Sequence, residues 1–366
     1  MARVLVTGAT GFIGQHLVRY LAEYNHDLVC LVRKNTVLQK NIELPARFVQ
    51  GDITRWESVN EAVRGCDVVI NLAGVTKSFH RKEMYAVNQE GADNVARACA
   101  HQANPPVLIQ ISSLSAAGPV GRINQPKPRS QDRTVSIYGR SKLKGEKAVQ
   151  QYADRVPVTI LRPPIVFGEG DRDVLPIFKS VQRFGWAFGP AYSDDLFSFV
   201  HVHDLVQAIR LLMLQGARIQ TNHPMGVYHV ESEGRVSFRQ FAKMIGQTLN
   251  RTKVKVVAAP TWLTWVVGGF CEMGARVCRR PFVMSLDKAR EANAGSWSCN
   301  ANALRQIGYK PGALSERIKQ TSEWYQRAGW IKSVSITPDH RPEPSLPFET
   351  KLQKPGQSQA FEKQLS

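Results

Sequence analysis

Cysteine is scarce. The six present, Cys30, Cys66, Cys99, Cys271, Cys278 and Cys299, form no CxxC pair and no Cys/His array with metal-ligand spacing. That excludes a zinc module and a disulfide framework; thiols set in apolar runs are expected to be buried and reduced, as in a cytoplasm. No apolar run reaches the length that spans a bilayer, which excludes a transmembrane helix. No basic run is interleaved with aromatics and no nucleic-acid-binding motif occurs, so nucleic acid is not an expected partner despite a formal net charge of +18. The Lys and Arg residues are scattered along the whole chain. An apolar run, Val4-Leu5-Val6, begins almost at once, so no targeting segment is expected.

What is present is the composition of a folded protein, 43% hydrophobic and 21% charged. Arg3 to Thr7, Leu28 to Val32, Arg47 to Gln50, Val68 to Asn71, Val107 to Ser112 and Val158 to Arg162 are nearly continuous Val, Ile and Leu. Such runs mark strands covered on both faces. Helical patterns separate them, including Ile13 to Glu23, Lys82 to Ala103 and Tyr138 to Tyr152. Strands alternating with helices predict an α/β fold, a Rossmann-type doubly wound parallel sheet over residues 1–163. After Arg162 the pattern loosens. A helix near Leu175 to Phe184, strands near Phe199 to Val202 and Val227 to Val230, a helix from about Asp204, a capping-box pair Ser237/Gln240 and a last helix Ser315 to Arg327 predict a smaller C-terminal α/β substrate lobe over 164–332. Residues 333–366 are polar and proline-rich and read as a disordered tail.

Thr7-Gly8-Ala9-Thr10-Gly11-Phe12-Ile13-Gly14 lies between the first strand and the first helix. Glycines there permit a tight turn and bring backbone N–H groups close to a pyrophosphate at the positive end of a helix. An NAD site is expected to carry an acid at the end of the second strand, for the ribose 2′-hydroxyl. This chain has Arg33-Lys34 instead, and a guanidinium suits a 2′-phosphate. NADP is therefore the expected cofactor, with NAD the alternative.

Tyr138 and Lys142 stand four residues apart on one helical face. A phenol is a poor base at neutral pH, and a neighbouring ammonium stabilises its phenolate. Ser113, just past the strand ending at Ser112, can donate to a substrate carbonyl oxygen while the tyrosine delivers a proton. Gly8-x-x-Gly11-x-x-Gly14, Asn71-Leu72-Ala73-Gly74, Ser113, Tyr138-x-x-x-Lys142, Arg162-Pro163-Pro164-Ile165-Val166-Phe167-Gly168 and His201-Val202-His203-Asp204 together resemble the extended short-chain dehydrogenase/reductase family over residues 2–328. Within it the chain is most similar to the branch holding 3β-hydroxysteroid dehydrogenases and dihydroflavonol reductases.

The resemblance implies Tyr138 as general acid/base, Lys142 on the nicotinamide ribose and tuning Tyr138, and Ser113 orienting the substrate oxygen. It also implies a cofactor site of Gly8, Gly11, Phe12, Ile13, Gly14, Arg33, Asp52, Ile53, Leu72, Ala73, Gly74, Lys142, Pro163 and Val166. Asp52 and Ile53 would flank the adenine, and Val166 would lie near the nicotinamide. Asn88 matches a family asparagine, with helix packing as the equal alternative. Sugar-nucleotide dehydratases of the family carry Asp-Glu after the hydroxyl residue, where this chain has Leu114-Ser115, so dehydration is not expected. A homodimer through the helices Lys82 to Ala103 and Tyr138 to Tyr152 is implied by resemblance alone.

The expected reaction is hydride transfer between NADP(H) and a hydroxyl or carbonyl carbon of a hydrophobic small molecule. The rivals are a nucleotide-sugar epimerase with retained NAD, and a non-catalytic scaffold subunit like the relative in respiratory complex I. His201 and His203 are too few for a metal, and Asp204 is expected to cap the next helix; no metal is expected. Residues 261–280, with Trp262, Leu263, Trp265, Val266, Val267, Phe270 and Cys271 flanked by Lys253, Lys255, Arg276, Arg279 and Arg280, admit two readings. They wall the substrate pocket or pack on the main lobe, or they lie on the inner face of an anionic membrane.

Overall fold

The first strand, β1 (Arg3–Thr7), is flanked by β2 (Asp27–Val32) on one side and β4 (Val68–Asn71) on the other, both parallel to it. These β-branched runs are buried because helices cover both faces. The computed structural model describes residues 1–34, 43–78, 80–120, 132–189, 195–219, 225–278 and 285–333, without the side chains of 275–278. Helix α1 (Phe12–Ala22) follows β1; β3 (Arg47–Gln50) pairs with β2; α2 (Trp56–Val63) leads to β4. One continuous helix, α3, comes next. It comprises Arg81–Tyr85, a π-helical turn Ala86–Glu90 and Gly91–Ala100, so it ends before the Ala103 expected from sequence. Then come β5 (Val107–Ile111), a short α4 (Leu114–Ala117), α5 (Ile137–Gln150) and β6 (Val158–Arg162).

Alternation along the strands sorts the core into two layers. Val4 and Val6 pack with Leu17, Val18 and Leu21 of α1, whereas Leu5 packs with Val59 of α2, Val95 of α3 and Val149 of α5. Each fully buried side chain of this kind contributes about 1.5–3 kcal/mol.

The second half continues with β7 (Ile165–Phe167), α6 (Leu175–Phe184), β8 (Trp186–Gly189), β9 (Leu196–Phe197), β10 (Phe199–His201) and α7 (Val202–Gln215). It ends with β11 (Val227–His229), β12 (Val236–Ser237), α8 (Phe238–Thr248), β13 (Lys255–Ala258), α9 (Thr261–Cys278), α10 (Leu286–Ala292), α11 (Asn302–Gln306) and α12 (Leu314–Arg327). The capping box of Ser237 and Gln240 is formed at the start of α8.

The central sheet has seven strands in the order β11-β6-β5-β4-β1-β2-β3, every pairing parallel. This is the Rossmann-type sheet expected, with one addition: β11, from the second half, completes its edge beside β6. Residues Met1–Lys332 form one compact unit. The tail expected over 333–366 lies, from residue 334 on, outside the described residues. The chain's direction of winding reverses between β1 and β4, and the crevice at the carboxyl ends of the strands there is where such sheets bind ligands.

Candidate active site

Gly8 opens the turn after β1 with a φ of +69°. A Cβ there would lie 2.8 Å from the backbone nitrogen of Ala73, so only glycine lets the loop after β4 pass this close. A Cβ on Gly14 would lie 2.3 Å from the carbonyl oxygen of Gly8. Gly11 is the N-cap of α1, no side chain caps it, and no acid stands in the first turn. The helix thus offers its N–H groups and positive end to an anion. This cradle fits a dinucleotide pyrophosphate.

Beneath the loop the strand ends are joined by polar side chains with almost no solvent contact. Thr7 Oγ1 donates to Asn71 Oδ1 (2.6 Å) and accepts from the Ala73 amide (3.1 Å), while Asn71 Nδ2 donates to Gln110 Oε1 (2.8 Å). Asn88 sits on the π-helical turn of α3. Its amide donates to the Val75 carbonyl (2.9 Å) and to Ser141 Oγ (2.9 Å), and its Oδ1 accepts from the Val75 amide (2.8 Å). It ties the loop after β4 to α5. The π turn brings that side chain into register, a common use of such bulges.

Helix α5 carries Tyr138 and Lys142. Ser136 caps its start, accepting from the Gly139 amide (2.8 Å), and the Asp287 carboxylate accepts from the amides of Ile137 (2.8 and 2.9 Å) and Tyr138 (3.2 Å). Lys142 is buried, its Nζ donating to the Ile111 carbonyl (2.7 Å). Burial pulls its pKa down to about 8, against the pull of Glu146. Ser113 accepts from the Ser115 amide (3.1 Å), and its hydroxyl acts on the Tyr138 phenol. Burial raises the Tyr138 phenol above its usual value; the Ser113 bond and the Lys288 ammonium act to lower it, and Glu291 adds to the rise. The phenol therefore stays protonated at neutral pH.

A second buried network holds this helix in place. Glu146 accepts from Ser112 Oγ (2.5 Å) and from Arg162 Nε (2.8 Å) and NH2 (2.7 Å); Arg162 also reaches Asp132 (2.7 Å). Glu146 stands four residues beyond Lys142, so one helical face holds Tyr138, Lys142 and Glu146.

A cavity of about 1750 Å³ gathers Gly8, Gly11, Phe12, Ile13, Gly14, Leu72, Gly74, Ser113, Tyr138, Lys142, Pro163 and Val166. Four other expected residues lie outside its lining. Arg33 is exposed at the end of β2, whereas Arg19 of α1 lines the cavity. Ala73 spends its amide on Thr7, Ile53 packs in the core, and Asp52 accepts from the amide and hydroxyl of Thr54 (both 2.9 Å). The sequence reading missed α10 altogether. Its Lys288 and Glu291 line the cavity, Lys288 Nζ lying 5.8 Å from the centre of the Tyr138 ring and 2.7 Å from Glu291 Oε2. Burial works against the Lys288 charge, but Glu291, with Tyr138 and Asp173, outweighs it and raises the pKa. A short charged helix some 150 residues from Tyr138 carries no local signal of this proximity.

One expectation is corrected. Asp204 does not cap α7; His201 does, its Nδ1 accepting from the His203 amide (3.3 Å), while buried Asp204 pairs with Arg317 of α12. A long-range ion pair took the carboxylate. His201 and His203 are joined by two residues not foreseen, His16 and Glu169. His16 Nε2 donates to the Glu169 carbonyl (2.8 Å), and Glu169 Oε2 lies 3.4 Å from His203 and 3.5 Å from His201. Burial drives the His201 pKa down to about 2 and lowers that of His16. The cluster staples α1 to the loop after β7.

Comparison with known proteins places the chain in a family. The profile of the NAD dependent epimerase/dehydratase family matches residues 4–228. A ceramide reductase of Caulobacter vibrioides is 27% identical over 330 residues, covering 90% of this chain and 96% of that protein. A putative dihydroflavonol 4-reductase of Synechocystis is 23% identical, covering 90% and 96%. The Thermus thermophilus UDP-glucose 4-epimerase, solved with NAD, shares the fold with a TM-score of 0.67 at 20% identity, covering 89% of this chain and 99% of that one.

Proposed function

Because the chain belongs to the NAD dependent epimerase/dehydratase family, we propose that it transfers a hydride between NADP(H) and the hydroxyl or carbonyl carbon of a lipophilic substrate. The observation that carries this reading is the convergence of Ser113, Tyr138 and Lys142 on one cavity that is also lined by aromatic side chains. Phe197, Phe199, Phe238, Trp297, Trp324 and Trp330 line it. An apolar wall of this kind suits a hydrocarbon chain better than a sugar nucleotide. The Caulobacter relative, named a ceramide reductase, points to the same class, a carbonyl-bearing lipid.

When bound, the dinucleotide supplies the hydride. Ser113 donates a hydrogen bond to the carbonyl oxygen, and Tyr138 passes its phenolic proton to that oxygen as the carbon is reduced. The Lys142 ammonium, held by the Ile111 carbonyl, stabilises the phenolate left behind. In the reverse direction the phenolate takes the alcohol proton. Leu114 and Ser115 bring no acid to the position where a dehydratase needs one, which supports reduction over water loss. Arg33 and Lys34 at the end of β2, with Arg19 of α1 in the cavity wall, support a 2′-phosphate and hence NADP.

The test is fluorescence titration of the wild type and Arg33→Ala with NADPH and NADH, followed by turnover of long-chain keto lipids. Tighter NADPH binding that weakens by about tenfold in the variant, an effect of one lost charge-assisted contact, is the expected result. NAD that co-purifies, or equal affinity for NADH, overturns the NADP assignment in favour of an epimerase. Binding of neither cofactor points to a scaffold.

A further inference from the structure

Helix α9 is built inside out for a helix in water. Its small residues face inward: Thr264 is buried and receives a hydrogen bond from Asn293 (2.7 Å), and a Cβ on Gly268 would lie 3.1 Å from the Ser285 carbonyl oxygen. The opposite stripe, Trp262, Val266, Phe270 and Met273 at helical spacing, points to solvent, with Trp262 66% and Phe270 67% exposed. A second element extends the apolar face. Strand β13 leads directly into α9 and pairs with β8 in the register Lys255↔Trp186 and Val257↔Phe188. Trp186, Phe188 (62% exposed), Val257 and Phe184 at the end of α6 are exposed as well. Scattered apolar residues on a surface need no explanation, but aromatics concentrated on adjoining elements do.

The charges on and beside these elements are almost all of one sign. Residues 175–189 and 251–278 contain Lys179, Arg183, Arg251, Lys253, Lys255 and Arg276, against the single acid Glu272. Several cations stand over the aromatics: Lys255 Nζ is 5.9 Å from the Trp186 ring, the Arg183 guanidinium 5.2 Å from Phe184, and that of Arg290 5.8 Å from Trp265. Exposed Trp and Phe with Lys and Arg among them are the chemistry of a helix lying in the headgroup region of an anionic bilayer. A second copy of this chain would bring the same positive charge to the face, so charge complementarity favours lipid over self-association. None of the helices, among the described residues, is long and apolar enough to cross a membrane.

We propose that the face formed by α9, β8 and β13 docks on the surface of an anionic phospholipid bilayer. Elements adjoining this face reach the active-site cavity. Ile177 of α6 lines it, Gly189 of β8 abuts the cavity residue Phe238, and α10, which packs on α9, contributes Lys288 and Glu291. A lipid would pass from bilayer to cavity between these elements. That route rests on the lipid-substrate reading above; the docking itself does not.

The test is flotation of the full chain with vesicles of phosphatidylcholine alone and of phosphatidylcholine mixed with phosphatidylglycerol, with no substrate present. Binding to the mixed vesicles that weakens with added salt is expected. So is a loss of about tenfold or more in the partition coefficient of Trp262→Gln/Phe270→Gln, at unchanged thermal stability. No binding to anionic vesicles overturns the proposal. Binding that the double variant leaves intact also does so, by assigning the attraction to net charge. A dimer abolished by the double variant, without vesicle binding, makes the face an interface between copies. Vesicle binding without any reduction of keto lipids leaves docking in place and overturns only the route.

Discussion

Two regions of this protein invert the usual partition of polar and apolar groups, in opposite senses. At the carboxyl ends of β1, β4, β5 and β6, polar and charged side chains are buried: Thr7, Asn71, Gln110, Ser112, Lys142, Glu146 and Arg162 all have less than a tenth of their surface exposed. On α9, β8 and β13, large apolar side chains face outward. The first inversion is stabilised from within, because every one of those polar groups has a named hydrogen-bond partner. The second, among the described residues, stays uncovered. A buried polar group with its bonds made marks chemistry; an exposed apolar face marks an environment other than water.

The contrast can be broken at either end. Tyr138→Phe should lower turnover by about a hundredfold or more, the usual contribution of a positioned acid. It should leave folding intact, and steady-state kinetics beside a thermal melt will check both. Arg162→Ala should instead act on stability. It strips Glu146 of its guanidinium partner and costs about 3–5 kcal/mol by denaturant unfolding. Arg162→Met combined with Glu146→Leu should recover much of that loss, and failure to do so would mean the pair serves more than itself.

The pH profile of reduction sharpens the first region further. Lys142 titrates near 8 because burial disfavours its charge. In the mechanism proposed above, the ammonium supports the phenolate below that pH. Above it the charge is lost, so the reductive rate should bend downward by up to tenfold per unit. Lys288→Met removes the ammonium beside the Tyr138 ring, so the phenol pKa rises and the acid limb of alcohol oxidation should move to higher pH. The smallest effect belongs to the other region. Phe270→Gln should change stability by no more than about 0.5 kcal/mol, since the ring is already in solvent. A large loss there would show that α9 is packed in solution and would abolish the contrast.

Much of the first region was legible in the sequence because it is written locally. The strand runs, the glycine loop and the Tyr-Lys spacing each sit within a few residues of one another. The second half was legible as elements but not as a topology. Val227 to Val230 reads as a strand, yet nothing in it says that Val227 to His229 pair with Ile160 to Arg162. The π turn that aims Asn88 leaves no compositional trace in an otherwise regular helix. Asp204 has the residue type of a cap and lost that place to His201, because Arg317, over a hundred residues away, claimed its carboxylate. Lys288 and Asp287 were missed for the same reason: their meaning comes from a contact, and contacts at this separation have no period.

The placement of β11 beside β6 has a consequence for how the chain is made. At a synthesis rate of about 5–20 residues per second, the edge of β6 waits roughly 3–13 s for residues 227–229 to follow it from the ribosome. During that interval a parallel strand rich in Val and Ile lies with one side unpaired, the kind of edge that recruits strands from other chains. Parallel pairing of distant segments is also slow to form. The interval after residue 162 is therefore where nascent chains should be most prone to aggregate. Truncation between β6 and β11 should yield an insoluble product rather than a free-standing nucleotide-binding half.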